Sequence, residues 1–420
     1  MKKFTILLAF LSAITALKAQ TNVSGGIYSS QTWTTAGSPY IIISDVVLFP
    51  GYSITIEPGV VVKFNPNTYL EIRGRIYAIG TPNDSITFTS NLTTPYMGCY
   101  GGITGSDTSF YRYCSFYYAD TAIYGMTGYD GELSHCTFKN NFNGLNFSYI
   151  TADSCNFYYN GCGLYEAGNI FYCNLLHNGL AAFNVGNVKY SVFKHNGNGL
   201  GVPGPQAFID HCIIDSNRGY GLMTQPTDTV TNCEIEYDSI GVQSQSSTIF
   251  FNIISNDSIG IIEESGDDIR CNSICNNKEY NFILSTSKDI HIYDNYWCLS
   301  DSVLIQHTIY DGHQDLSLGL VYFTPYDTFQ CTQITSVQNL VQQNNYKVYP
   351  NPSIGVFTIR NYELGITNIA VYNVLGEKVY SNNYQLKTID LSKQPSGIYL
   401  YRITNESGKL LDTGKLIINH

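Results

Sequence analysis

The chain has 420 residues, 44% hydrophobic and only 13% charged, with a net charge of −11, so it can build two cores but lacks the basic character that a nucleic-acid or anionic-membrane partner demands. Its 35 tyrosines and 37 glycines favour short strands and turns over helices.

The first element in chain order is a leader. Lys2 and Lys3 precede the apolar stretch from Phe4 to Leu17, and Ala19 supplies a small residue before Gln20, so residues 1–19 are expected to be a signal peptide. No later apolar run is long enough to span a bilayer, and no transmembrane segment is expected in the mature chain. No cysteine occurs before Cys99, which argues against a lipid anchor at the mature N-terminus. Residues 20–39 read as a lead-in.

A repeat then governs residues 40–328. Asn141, Asn160, Asn178, Asn196, Asn217, Asp238, Asp257 and Asn277 form one column, with successive spacings of 19, 18, 18, 21, 21, 19 and 20. Three places earlier runs an apolar column of Phe138, Phe157, Leu175, Phe193, Ile214, Ile235, Ile254 and Ile274; three places later come Gly144, Gly163, Gly199, Gly241 and Gly260. A period near twenty is too short for paired-helix repeats, and the two-residue alternation inside it is that of a strand. Strands repeated in this way stack as a parallel β-helix, in which equivalent residues of successive coils lie about 4.8 Å apart. Asn suits the bend, where it can satisfy backbone groups and tolerate left-handed torsions, and the glycine is expected to free a torsion at re-entry into the next strand.

These columns resemble the right-handed parallel β-helix proteins of the pectate-lyase-like superfamily over roughly residues 40–325. ITIEPGVVVKFNPNTYLEIRGRIYAIG is similar to their opening coils, and DNYWC followed by IYDGHQDLSLGLVYFTPY to their closing coil, with Trp297 capping the apolar core.

The 12 cysteines follow the same phase. Cys114, Cys136, Cys155, Cys173, Cys212 and Cys233 recur at one repeat position and read as a stack of small apolar residues. Cys298 and Cys331, outside it, are the candidates for a disulfide.

Many β-helices cleave polysaccharides, and each such chemistry demands particular residues. A lyase acting on uronic acids needs clustered cations or calcium-binding acids, yet residues 100–300 hold 8 Lys plus Arg, scattered over different coils, against 20 Asp plus Glu. A glycosidase needs two carboxylates about 5 to 9.5 Å apart. Asp215 and Glu236 are the weak candidates, since they share one outward position on adjacent coils, but Lys194 holds the same position one coil earlier, the pattern of a solvated charge ladder. GDD at residues 266–268 reads as a turn, because no matching NTD, HG or RIK accompanies it. His177 and His195 stack without a third ligand, and no metal or cofactor site is expected. The outward tyrosines Tyr117, Tyr118, Tyr158, Tyr159 and Tyr237 are candidates for binding a glycan or a protein partner, against a purely structural role in covering the sheet.

After Cys331 the stretch TQITSVQNLVQQNN has no apolar periodicity, and residues 329–345 are expected to be a linker. Residues 346–420 hold alternating strands broken by Pro350, Pro352, Gly355, Gly376, Gly397 and Gly408, the pattern of a small antiparallel immunoglobulin-like β-sandwich. YPNP, LGEKV and PSGIYLYRI, in this order, closely resemble the type A C-terminal sorting domain of the type IX secretion system. The solenoid and the sandwich make the whole chain all-β by expectation, and the sorting-domain resemblance implies a passenger carried across the outer membrane by the secretion machinery and left on the cell surface or released. The expectation for the whole chain is therefore an exported, non-catalytic β-helix protein that binds a glycan or a protein, with a glycoside hydrolase acting on a neutral polysaccharide as the alternative.

Overall fold

Short strands joined by single left-handed residues wind the chain into a coil of three faces. In one turn, Thr229–Thr231 lies on the first face, Glu234–Glu236 on the second and Ile240–Ser244 on the third. The next turn places Thr248–Phe250, Ile253–Ser255 and Ile259–Glu263 directly over them, with Val230 opposite Ile249, Ile235 opposite Ile254 and Val242 opposite Ile261, all in parallel register. The computed structural model describes residues 20–105, 109–125, 131–148, 150–201, 203–331 and 346–419, apart from 362–367, 374–376, 383–387 and 405–409. The expected signal peptide and most of the expected linker lie outside them.

The first face is a sheet of 12 parallel strands running from Gln31–Trp33 to Asp268–Arg270, one strand per turn; the second and third faces join into a sheet of 25. This is the expected parallel β-helix, but it begins earlier than expected. Thr21–Ile27 pairs in parallel with Tyr40–Leu48, and Gln31–Trp33 with Ser53–Ile56, so the stretch read as a lead-in already forms the first coil. Its strands sit at the open end of the stack, where polar and glycine residues mask the apolar alternation.

Inward-facing side chains fill the coil in columns. The rings of Phe88, Phe116, Phe138 and Phe157 stack at centroid separations of 4.9, 4.8 and 4.7 Å, the spacing the strands impose. Trp33 stacked on Tyr40 at 4.7 Å closes one end, and Trp297, edge-on to Phe323 at 6.1 Å, closes the other as expected.

The corners depart from the expected torsions. The left-handed residue between the second and third faces is the one before the Asn column: Tyr159, His177, His195, Ser216 and Tyr237 have φ of 55°, 58°, 56°, 59° and 58°. Placing that bend one residue earlier lets the corner side chain point outward and turns the following Asn into the core. The column glycines likewise hold ordinary torsions; they serve close approach, since a Cβ on Gly241 would stand 2.5 Å from Asp257 Oδ2 and 2.7 Å from the Gly260 carbonyl.

The chain divides into two compact units, residues 1–333 and 334–420. The second packs a three-stranded antiparallel sheet (Tyr346–Tyr349, Val356–Asn361, Thr388–Asp390) with a four-stranded one (Lys378–Asn382, Asn368–Asn373, Gly397–Thr404, Leu410–Ile418). Phe357, Val371, Ile389, Ile403 and Leu416 form its buried centre. Among the described residues no helix is long and apolar enough to cross a membrane.

Candidate functional site

Buried polar ladders fix the coils, and through them the outward face. Asn178 shows the arrangement: its Oδ1 accepts from the Asn160 backbone N–H at 2.9 Å and from Asn160 Nδ2 at 3.0 Å, while its own Nδ2 donates to the Phe157 carbonyl at 2.9 Å and to Asn196 Oδ1 at 3.1 Å. The same pattern runs from Asn141 to Asn217, whose Nδ2 donates to Asp238 Oδ1 at 2.9 Å. At the next two rungs an acid replaces the amide. Asp238 Oδ2 and Asp257 Oδ2 are buried with no hydrogen-bond partner, where the amide rungs place a donor. Burial pushes the Asp238 carboxyl up to about 7 and that of Asp257 up to about 9.

A second ladder lies at the opposite corner of the second face. It holds the six expected cysteines, all buried and unbridged, whose thiols donate weakly to backbone carbonyls, as Cys136 does to the Ser134 carbonyl at 3.2 Å. Sequence reasoning missed its continuation: Cys233 N–H donates to Asn252 Oδ1 at 2.9 Å, Asn252 to Asn272 at 3.0 Å and Asn272 to Asn295 at 2.9 Å. Ser191 also belongs to it, accepting from the Cys173 N–H at 3.1 Å. The expected Cys298–Cys331 bridge is absent. Cys298 pairs with Cys275, 23 positions earlier, because the parallel pairing of Ser273 with Tyr296 sets the two cysteines at one position of successive coils.

Between these corners the second face presents one outward column of Tyr117, Lys139, Tyr158, Leu176, Lys194, Asp215, Glu236 and Ser255, paired rung by rung. Beside it Asn174 Nδ2 donates to Asn156 Oδ1 at 2.9 Å, and the Tyr158 hydroxyl donates to the same oxygen at 2.8 Å.

Aromatic and imidazole stacks rail this face on both sides. On one corner Tyr159 stacks on His177 at 4.9 Å and His177 on His195 at 5.1 Å, with Lys139 Nζ 5.6 Å from the Tyr159 ring centre. On the other, unnoticed in the sequence because its columns mix Tyr, His and Ser, Tyr172 stacks on Tyr190 at 5.1 Å and Tyr190 meets His211 at a tilt of 31°, 5.0 Å away. Five residues separate the rails within a coil, roughly 16 Å at strand rise. Rings stacked in this way spend their faces on one another and show edges, hydroxyls and ring nitrogens to solvent. The two imidazoles that sequence could assign to zinc are stacked in this manner. Tyr237 differs. It follows Ser216 and precedes Asn256 in its column, so no ring lies above or below it there, and it is exposed. Of the other candidates, Tyr117 and Tyr158 lie half-buried on the face itself, and Tyr118 packs partly against the core.

Asp215 and Glu236 lie opposite each other in adjacent strands, as the spacing predicted. Both are engaged. Lys194 Nζ is 2.7 Å from Asp215 Oδ2, Ser216 Oγ donates to Asp215 Oδ1 at 2.5 Å, and Ser255 Oγ donates to Glu236 Oε1 at 2.6 Å. Burial works to raise the Asp215 carboxyl, but the Lys194 and Ser216 contacts outweigh it and hold the group below the usual aspartate value. It is thus an ionised partner of a lysine and no proton donor. The GDD segment turns at Gly266, with φ of 68°, and Asp267, which is buried and accepts from Ser244 Oγ at 2.5 Å, while Asp268 already opens the strand Asp268–Arg270 and pairs with Arg270 at 3.3 Å.

Comparison with known proteins identifies the second unit. Residues 347–419 match the family described as the secretion system C-terminal sorting domain. The protein is therefore exported, sorted by this type IX domain to the cell surface or the medium. A segment of 83 residues, 20% of the chain, is 35% identical to the protein bark beetle of Drosophila melanogaster, of whose length it covers only 3%. Among solved structures, an alginate lyase from Paenibacillus is 10% identical over 66% of this chain and 93% of its own, with a TM-score of 0.28. The tailspike protein of Acinetobacter phage vB_ApiP_P1 is 10% identical over 93% of this chain and 73% of its own, with a TM-score of 0.29. A tailspike protein of the Acinetobacter baumannii bacteriophage Fri1, a capsular polysaccharide depolymerase, is 9% identical over 88% of this chain and 73% of its own, with a TM-score of 0.26. At such values these likenesses carry no argument about chemistry.

Proposed function

We propose that the solenoid is a non-catalytic recognition module that binds a neutral glycan along its second face, displayed or released outside the cell by the sorting domain. The observation that carries this reading is the pairing of an open Tyr237 ring and corner rails of hydroxyl and imidazole edges with an acidic pair already committed to Lys194, Ser216 and Ser255. A face with two lysines beside Asp215, Glu234 and Glu236 offers a polyanion no net attraction, and a neutral sugar fits its mixed donors and acceptors. A glycosidic bond also needs a carboxylic acid kept protonated at the surface, and the acids that burial raises, Asp228, Asp238, Asp257, Glu263 and Asp267, are all buried.

The test is a glycan array followed by calorimetry on the best ligand. Tyr237→Ala is expected to weaken binding about fivefold, the loss of one stacked ring worth about 1 kcal/mol, and Tyr159→Ala by less. Reducing-sugar release from the same glycans is expected to be nil. Release that Asp215→Asn or Glu236→Gln abolishes would make the protein a glycoside hydrolase and replace this reading.

A further inference from the structure

The closing coils gather four cysteines, Cys271, Cys275, Cys298 and Cys331. Cys275 and Cys298 are bridged, whereas Cys271 and Cys331 carry free thiols. These two are also, with Cys162, the free cysteines among the described residues that reach solvent; the others are buried in the core. Their sulfurs and the Asp327 carboxylate oxygen all lie within 4.8 Å of one another. One residue holds them together: the Cys271 backbone N–H donates to the Asp294 carbonyl at 2.9 Å, and Cys331 Sγ approaches the same oxygen at 3.6 Å. The Cys331 thiol donates to Asp327 Oδ2 at 2.7 Å.

We propose that Cys271 and Cys331 form a second disulfide in the exported protein, tying the end of the solenoid back onto a coil 60 positions earlier. The compartment that closes Cys275–Cys298, four residues from Cys271, oxidises accessible thiols, and the buried cysteine ladder is shielded from the same chemistry. The oxidant required is the disulfide of a thiol–disulfide oxidoreductase. One thiolate of the pair attacks that disulfide, forming a mixed disulfide and releasing the first thiol of the oxidant. The second cysteine then attacks the mixed bond and expels the other. Two thiols are oxidised, the oxidant is reduced to a dithiol, and Asp327 stands where it can take the proton leaving Cys331. Three ligands from two thiols and one carboxylate would also suit a soft divalent cation such as zinc, and the experiment separates the two.

The full-length protein, purified from the medium or cell surface without reductant, is alkylated, digested and analysed by mass spectrometry. A cross-linked peptide pair containing Cys271 and Cys331 is the expected result. Alkylation of both residues in the unreduced protein, or one zinc per chain that Cys271→Ser removes, would overturn the proposal. As a second arm, Cys271→Ser and Cys331→Ser should each lower the melting temperature by the same amount, with no further loss in the double variant. Additive losses would overturn it equally.

Discussion

Residues Asp238 and Asp257 show how one atom changes the physics of a rung. In the amide rungs, Nδ2 donates to a carbonyl of the preceding coil, as Asn196 does to Leu175 at 2.9 Å and Asn217 to Phe193 at 3.1 Å. An aspartate can copy that donation only while protonated, and the unpartnered Oδ2 of both residues marks where the proton belongs. Their unfolded carboxyls titrate near 3.8, while burial lifts the folded values to about 7 and about 9. Between those limits the folded chain binds more protons at these two sites than the unfolded one, so the stability they contribute is fully present below about pH 4 and is lost as pH rises through about 9. Asp257→Asn should flatten this decline and raise the melting temperature at pH 9 while changing little at pH 4. Thermal scans from pH 4 to 9 check it, and equal curves for variant and wild type would mean that Asp257 is charged in the fold.

At the scale of the element, the ladder is what converts a stack of three-residue strands into a rigid coil. Strands this short make few pairing bonds per rung, and the inward amide supplies the bonds that the corner breaks. Asn178→Ala would strip the Asn160 N–H and the Phe157 carbonyl of their buried partners, bonds of 2.9 Å each, at a cost of about 3 kcal/mol. Asn178→Asp keeps the acceptor and should recover part of that loss at pH 5 but not at pH 8; urea unfolding at both pH values measures it. This ladder was legible in the sequence because identical stacked amides demand the same residue at a fixed phase, coil after coil. The cysteine ladder was legible only while it stayed cysteine: Ser191, Asn252, Asn272 and Asn295 occupy the same geometric position but share no sequence signal with Cys233. The Cys275–Cys298 bridge and the Tyr172–Tyr190–His211 rail were hidden for a related reason, since each depends on which residues of successive coils come into register. Asp215 and Glu236 were placed correctly side by side, but their engagement by Lys194 and Ser255 is a side-chain property that spacing does not carry.

At the scale of the whole molecule, two units with separate cores divide the labour. The solenoid's apolar columns run from Ile27 to Phe323, and the sorting unit buries its own cluster around Phe357 and Leu416. Neither cluster draws a residue from the other, so removal of one should leave the other's packing intact. Export supplies the contrast that tests this division. Deleting residues 347–419, the segment matching the sorting family, in a bacterium with type IX machinery should leave a folded, protease-resistant solenoid trapped in the periplasm, while the full chain reaches the surface or medium. Fractionation with immunoblotting and limited proteolysis reads both properties at once. A truncated chain that still reaches the medium would show that the solenoid carries its own export signal. A trapped but protease-sensitive one would show that the solenoid needs the sorting unit to fold, against the two-core architecture.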